Sequence, residues 1–383
     1  MRFKGTVIMT ILLAVIIMGS LGSFNWSTEN TIKGIPSLTT KIKEIIKEKN
    51  IPGMALAIVR GEMVVFKKCF GLANIEKRTE VTERTLFPIG SSTKPFTSNL
   101  VALLVSRGKM NWNDPIIHYL PEFKLAIDSY DKKKQVTIRD LLSHRTGFFH
   151  MDLVQKIFSG EKGWTREKLL KEAVKYKPID EFRKVHNYSN ISMLAAGMAS
   201  AKAAGEHWDD LMSSLLFNPL GMNNTTTITS KALENTNLAT GYMNNGGENV
   251  PAPLINLDGI APAGGIFSTL HDMIQWVKFI NLKGIIHGRR LIDEKELIET
   301  WKSHVKVKEN LIKDTEYGMG WFLTKWREYK VVEHPGNSMG YSAHVAFIPK
   351  LDLGFVLLSN VLPNPLQFTI RNMIFEALVI DQN

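Results

Sequence analysis

The β-rich segments of this chain lie at its two ends and the helical segments between them, and that segregation limits the fold more than any single motif does. Near the N-terminus, apolar runs at 54–59 and 63–70 surround Arg60-Gly61 and predict a hairpin. Short β-like runs recur at 320–323, 329–332, 343–348 and 354–359. The spacing of apolar residues between them predicts helices at 94–107, 138–143, 166–176 and 189–204. Further helices are predicted at 38–50, stopped by Pro52-Gly53, at 270–282 and at 366–380. Grouped strands and grouped helices indicate an α+β fold. Residues 38–90 and 264–383 are expected to share one antiparallel sheet flanked by helices, with 91–263 a mostly helical insertion. The cleft between two such parts is a favoured place for an active site.

Composition limits what that site can serve. At 383 residues, 44% hydrophobic and 22% charged, the chain has ordinary globular proportions. Its net charge of +10 comes from scattered basic residues with no zinc-finger or nucleic-acid motif, so a solvated basic surface is expected rather than a nucleic-acid partner. Residues 1–23 differ: Arg2 and Lys4 precede an apolar run from Val7 to Met18 broken only by Thr10, then Gly19-Ser20-Leu21-Gly22-Ser23. This pattern predicts a signal peptide or an uncleaved membrane anchor, then a polar linker at 24–37, and a secreted or otherwise extracytoplasmic protein. Any membrane contact is expected through this segment alone. The single cysteine, Cys69, permits no internal disulfide. Neither H-E-x-x-H nor H-x-H-x-D occurs, so no metal and no other cofactor is expected.

Two serines compete for the role of nucleophile. Gly336-Asn337-Ser338-Met339-Gly340 fits the G-x-S-x-G turn, but that chemistry needs an acid and then a histidine downstream. The last histidine is His344, with no acidic residue between it and Ser338, so Ser338 reads as part of a turn after an edge strand. Ser91 has Lys94 one helical turn on, at the start of a long apolar helix. A hydroxyl needs a base to become a nucleophile, and a lysine serves if burial lowers its pKa. Ser106, Ser129, Ser159 and Ser303 also have a lysine three residues on, but they lie at a helix end, in a charged loop, beside Gly160 and among lysines. Tyr188-Ser189-Asn190 offers a phenol for proton transfer and an amide for holding substrate. Tyr242-Met243-Asn244 repeats that spacing by chance. His334-Pro335-Gly336 is the only H-x-G in the chain.

In the order S-x-x-K, Y-x-N, H-x-G, with the phrases VTIRDLLSHRTGF (136–148), NPLGMNNT (218–225), APAGGIFSTLHDM (261–273) and YGMGWF (317–322), the chain resembles the serine β-lactamase and penicillin-binding protein superfamily over 51–360, especially its class C β-lactamase and esterase branch. The resemblance implies a β-lactamase/transpeptidase-like fold. It makes Ser91 the acylated nucleophile, with Lys94 and Tyr188 relaying its proton. Asn190 would orient the substrate, the main-chain N–H groups of Ser91 and Asn337 would form the oxyanion hole, and His334 and Gly336 would line the opposite wall. No K-T-G or K-S-G is present. His334, in place of that lysine, is expected to be partly charged at neutral pH and to make activity pH-dependent near pH 6 to 7. H-x-G members resemble esterases and D-amino-acid peptidases or amidases, so the expected substrate is a small carboxylic ester, amide or D-amino-acid peptide. The alternatives are a D-alanyl-D-alanine carboxypeptidase acting on cell-wall peptidoglycan, a class C-like β-lactamase, and an inactive binding or scaffold protein.

Overall fold

Strand β1 (Gly53–Arg60) is buried along nearly its whole length, which requires cover on both of its faces. In the computed structural model, which describes residues 28–127, 135–308 and 313–379, that cover comes from two helical layers. The segments 1–23 and 24–27 and the loop serine Ser129 lie outside the described residues. β1 turns into β2 (Met63–Asn74) and then β3 (Thr79–Glu80). Towards the C-terminus follow β4 (Val305–Lys306), β5 (Glu316–Tyr317), β6 (Phe322–Trp326), β7 (Tyr329–Ser338), β8 (Tyr341–Ile348) and β9 (Leu353–Ser359). The described strands form a sheet in the order β4-β5-β6-β7-β8-β9-β1-β2-β3, with every neighbouring pair antiparallel. The β1–β9 pairing, from Met54↔Ser359 to Arg60↔Leu353, joins the two ends of the chain.

Helices α1 (Thr28–Glu48), α2 (Lys94–Ser106), α3 (Asn190–Ala204), α4 (Leu270–Asn281) and α5 (Leu366–Val379) supply most of the cover. Successive side chains of a strand point to opposite faces. Leu56 and Ile58 therefore pack with Leu38 and Ile42 of α1 and with Ile370 and Ile374 of α5. Ala55, Ala57 and Val59 face the other way, into the larger core with Phe96, Leu100 and Trp276 of α2 and α4. Among the described residues no helix is long and apolar enough to cross a membrane.

Two sequence expectations need correction. Helix α1 begins at Thr28, so the stretch expected to be a polar linker is helical from that residue on. Contact explains this better than composition, because Gly34 lies so close to α5 that a Cβ there would meet Ala377 O at 2.6 Å. The insertion also carries a hairpin, Tyr242–Asn245 with Glu248–Pro251, turning at Gly246-Gly247, both at positive φ. Second, β7 continues through His334-Pro335-Gly336 to Ser338; β6 pairs with it only as far as Glu333, so residues 334–338 are paired on one side, with β8. Ser338 thus ends the strand and does not lie in a turn after it. Buried polar residues, which break the expected alternation, hid the second half of β7.

Glu333 is one of them. It is buried on the α5 face, where it accepts from Arg371 Nε at 2.8 Å, Arg371 Nη2 at 3.0 Å and Thr324 Oγ1, and lies 3.0 Å from His344 Nε2. Burial alone would raise its pKa, but these partners hold it at about 2, from an ordinary 4.5. Removing one partner of a buried charge pair strands the other, so Glu333→Ala is expected to lower unfolding stability by about 3–5 kcal/mol in urea titrations at neutral pH. Because the folded carboxyl has the lower pKa, its contribution is complete above pH 4.5 and is lost as pH falls towards 2. A variant as stable as the native chain would contradict this reading.

Candidate active site

A turn and a strand end meet closely enough to need two glycines. The turn Gly90–Thr93 runs without a break into α2, and Pro95 suits a first helical turn. Gly90 has φ +51, and a Cβ there would lie 2.5 Å from Asn337 O. Across the contact, a Cβ on Gly336 would lie 2.0 Å from Ile89 O. Ser92 Oγ also donates to His334 O at 2.9 Å. The turn bearing Ser91 is therefore docked, backbone to backbone, on the last residues of β7. A second dock holds α2 to the 261–266 turn, where Thr97 Oγ1 donates to Pro262 O at 2.6 Å and Ile266 N donates to Thr93 Oγ1 at 3.2 Å.

Between these docks Lys94 is fully buried. Its Nζ lies 3.0 Å from Ser91 Oγ, 2.7 Å from Asn190 Oδ1 and 2.8 Å from Ala263 O, and 4.6 Å from the centre of the Tyr188 ring. No carboxylate pairs with it among the described residues. Burial therefore acts unopposed and holds its pKa well below the usual lysine value. Asn190 is the first residue of α3, and the capping Ser189 accepts from Ser192 N at 3.2 Å. Tyr188 is half-buried, its ring beside His144 at 4.7 Å and stacked on Phe322 at 6.4 Å. Burial pushes its phenol up, while a hydrogen bond with the Ser91 side chain pulls the other way.

The structure thus brings Ser91, Lys94, Tyr188 and Asn190 together, with the half-exposed Ser91 open to a substrate. Asn337 is exposed beside them and Gly336 is buried in the contact. Ser338 is 5% exposed and faces Tyr341 across the strand pair, and no histidine hydrogen-bonds it among the described residues.

His334 does not behave as the sequence suggested. The buried ring has Nδ1 2.7 Å from Pro335 O and Nε2 3.1 Å from Tyr317 OH. A carbonyl only accepts, so Nδ1 carries the proton. Burial, the largest cause, holds the pKa well below its usual value, so Nε2 is an acceptor for the Tyr317 hydroxyl. Both nitrogens are committed and the ring is neutral at neutral pH. The expected charge change near pH 6 to 7 is therefore withdrawn.

Sequence reasoning missed His144, Tyr317, Phe322 and the carbonyl of Ala263. His144 has φ +54 and its Nδ1 accepts from Ser189 N at 3.3 Å, which steadies the turn before α3. Both His144 and Ala263 lie in phrases that carried the resemblance, but a main-chain acceptor has no residue-type signature. A cavity of about 710 Å³ between 157–167 and 254–259 contains none of the site residues, so chemistry rather than volume locates the site. Gly336→Ala is expected to separate the turn from β7, with a fall in ester turnover on the order of 100-fold, as for a misplaced reacting group. A variant with native kinetics would show that the close approach is dispensable.

Comparisons with known proteins show the family and the fold. The family model described as Beta-lactamase matches residues 38–377. A β-lactamase of Escherichia coli is 27% identical, covering 96% of this chain and 99% of its own. An unguisins hydrolase of Aspergillus campestris is also 27% identical, over 83% of this chain and 60% of its own length. In fold, an octameric penicillin-binding protein homologue from Pyrococcus abyssi superposes with a TM-score of 0.79 at 24% identity, over 91% of this chain and 78% of that one. A class C β-lactamase superposes at 0.73 with 22% identity, over 90% and 96% of the two chains. With the α+β sheet and the family match on the same residues, the chain belongs to the beta-lactamase family of the serine β-lactamase and penicillin-binding protein superfamily.

Proposed function

We propose that this serine hydrolase of the beta-lactamase family works outside the cytoplasm, cleaving a small carboxylic ester, amide or D-amino-acid peptide through an acyl-Ser91 intermediate. The observation that carries the reading is Lys94 Nζ, buried with no counter-ion among the described residues and 3.0 Å from Ser91 Oγ. A neutral amine has two N–H bonds and one lone pair. With the N–H bonds given to Asn190 Oδ1 and Ala263 O, the lone pair faces the Ser91 hydroxyl. As Ser91 Oγ bonds to the substrate carbonyl carbon, Lys94 takes its proton. The oxyanion that forms is met by the main-chain N–H groups of Ser91 and Asn337. Tyr188, protonated because burial raises its pKa, passes a proton to the leaving oxygen or nitrogen and is reprotonated from Lys94. Water then attacks the acyl carbon by the same route in reverse, restoring Ser91. Export rests on the apolar segment and small residues of 1–23.

The committed nitrogens of His334 bear on substrate class. A neutral ring with neither nitrogen free offers nothing to a substrate carboxylate, which favours esters and amides lacking that group over penicillins and peptidoglycan stems. The scaffold reading leaves the burial of Lys94 against Ser91 unexplained.

Assays of the purified chain against p-nitrophenyl esters, D-amino-acid amides and a penicillin test this. Ester turnover with a burst is expected, abolished in Ser91→Ala and reduced about 10²–10⁴-fold in Lys94→Ala, the range for loss of a general base. Penicillin turnover exceeding that of esters would favour the β-lactamase alternative, and no turnover the scaffold. The base must be neutral, so activity rises with pH through the lowered pKa of Lys94. His334 is expected to show no titration between pH 6 and 7 when its ring resonances are followed by NMR, and a titration there would contradict the assignment.

A further inference from the structure

Asn337 pairs with Ser342 of β8 and meets the Ser91 turn at its main chain, but its side chain is exposed and it follows a glycine, whose backbone restrains it little. A further contact holds it from behind. On the face of the sheet away from Ser91, Gln367 in the first turn of α5 is 7% exposed, with its side-chain amide directed into the β7–β8 pair. Its Nε2 donates to Ala343 O at 2.7 Å, Gly336 O at 3.3 Å and Asn337 Oδ1 at 3.3 Å. Gly336 and Ala343 are partners across the two strands, so one amide clamps both carbonyls of a single register pair and the side chain of the next residue. Three oxygens around one atom also settle the orientation of the amide, since only nitrogen can face them.

We infer that Gln367 is a positioning residue for the reaction: through Gly336 and Asn337 it sets the direction of the Asn337 N–H towards the substrate carbonyl oxygen. The inference rests on the proposed acyl-Ser91 chemistry. Oxyanion donors act only when aimed where charge develops, and a small misplacement is felt in the transition state more than in the bound substrate. Arg371, one turn further along α5, ties the same strand through Glu333, so α5 holds β7 at two points. Only the Gln367 contact reaches Gly336 and Asn337.

Gln367→Met keeps the apolar length of the side chain and removes the donor. Its single-turnover acylation by an activated p-nitrophenyl ester is expected to slow about 10- to 100-fold, as for a weakened oxyanion contact, with KM within about two-fold of native. Asn364→Ala is the control. It removes two ties at the base of α5, the 2.9 Å bond from Asn364 Nδ2 to Ser342 Oγ and the 2.9 Å bond from Leu366 N to Asn364 Oδ1, and leaves the Gln367 contacts with residues 336 and 337 in place. It is expected to lower the melting temperature while leaving the acylation rate near native. Equal slowing in both variants would reduce the Gln367 effect to general loosening and overturn the inference, as would native acylation in Gln367→Met. A native chain with no ester turnover, or turnover that survives Ser91→Ala, removes the underlying reading and this one with it.

Discussion

A lysine buried with no counter-ion among the described residues is the constraint on which the rest of this structure depends. Lys94 gives up its hydration and is compensated by three hydrogen-bonding partners from separate parts of the chain: Ser91 in its own turn, Asn190 at the head of α3 and Ala263 in the turn before α4. Each partner must arrive within hydrogen-bond distance for burial to be tolerated. The assembly of the helical layer and the preparation of the base are therefore one event. In the proposed mechanism, the same burial that disfavours an ammonium leaves an amine able to take a proton from Ser91.

Strand β7 supplies the second wall, and its two faces do different work. Towards the helical layer, Gly336 and the carbonyl of His334 receive the Ser91 turn at van der Waals contact. Towards α5, Glu333 and Asn337 are gripped by Arg371 and Gln367. A strand fastened from behind presents its front edge in one position, which a reaction depending on a main-chain N–H requires.

Much of this arrangement was legible in the sequence, for physical reasons. The hairpin at 53–74 and helices α2 to α5 follow from periodicity, and the pairing of distant strands follows from their segregation to the chain ends. Ser91, Lys94, Tyr188 and Asn190 stood out because their chemistry depends on side chains at short fixed spacing. What stayed hidden depends on tertiary contact. The Ala263 carbonyl and the Gln367 amide act on atoms more than 20 residues away in the chain. The second half of β7 lacks apolar alternation because Glu333 and His334 are buried with partners supplied by α5 and β5. The state of His334 was misread because an isolated imidazole titrates near neutrality, whereas this one is buried between a carbonyl and a phenol.

The assignment of Ser91 over Ser338 is the central claim, and covalent labelling tests it most directly. The full chain is treated with an activated phosphonate and its intact mass compared with those of Ser91→Ala and Ser338→Ala. One adduct on the native chain, kept in Ser338→Ala and lost in Ser91→Ala, is the predicted result. An adduct lost in Ser338→Ala and kept in Ser91→Ala, or a folded native chain that takes no label, would contradict the account.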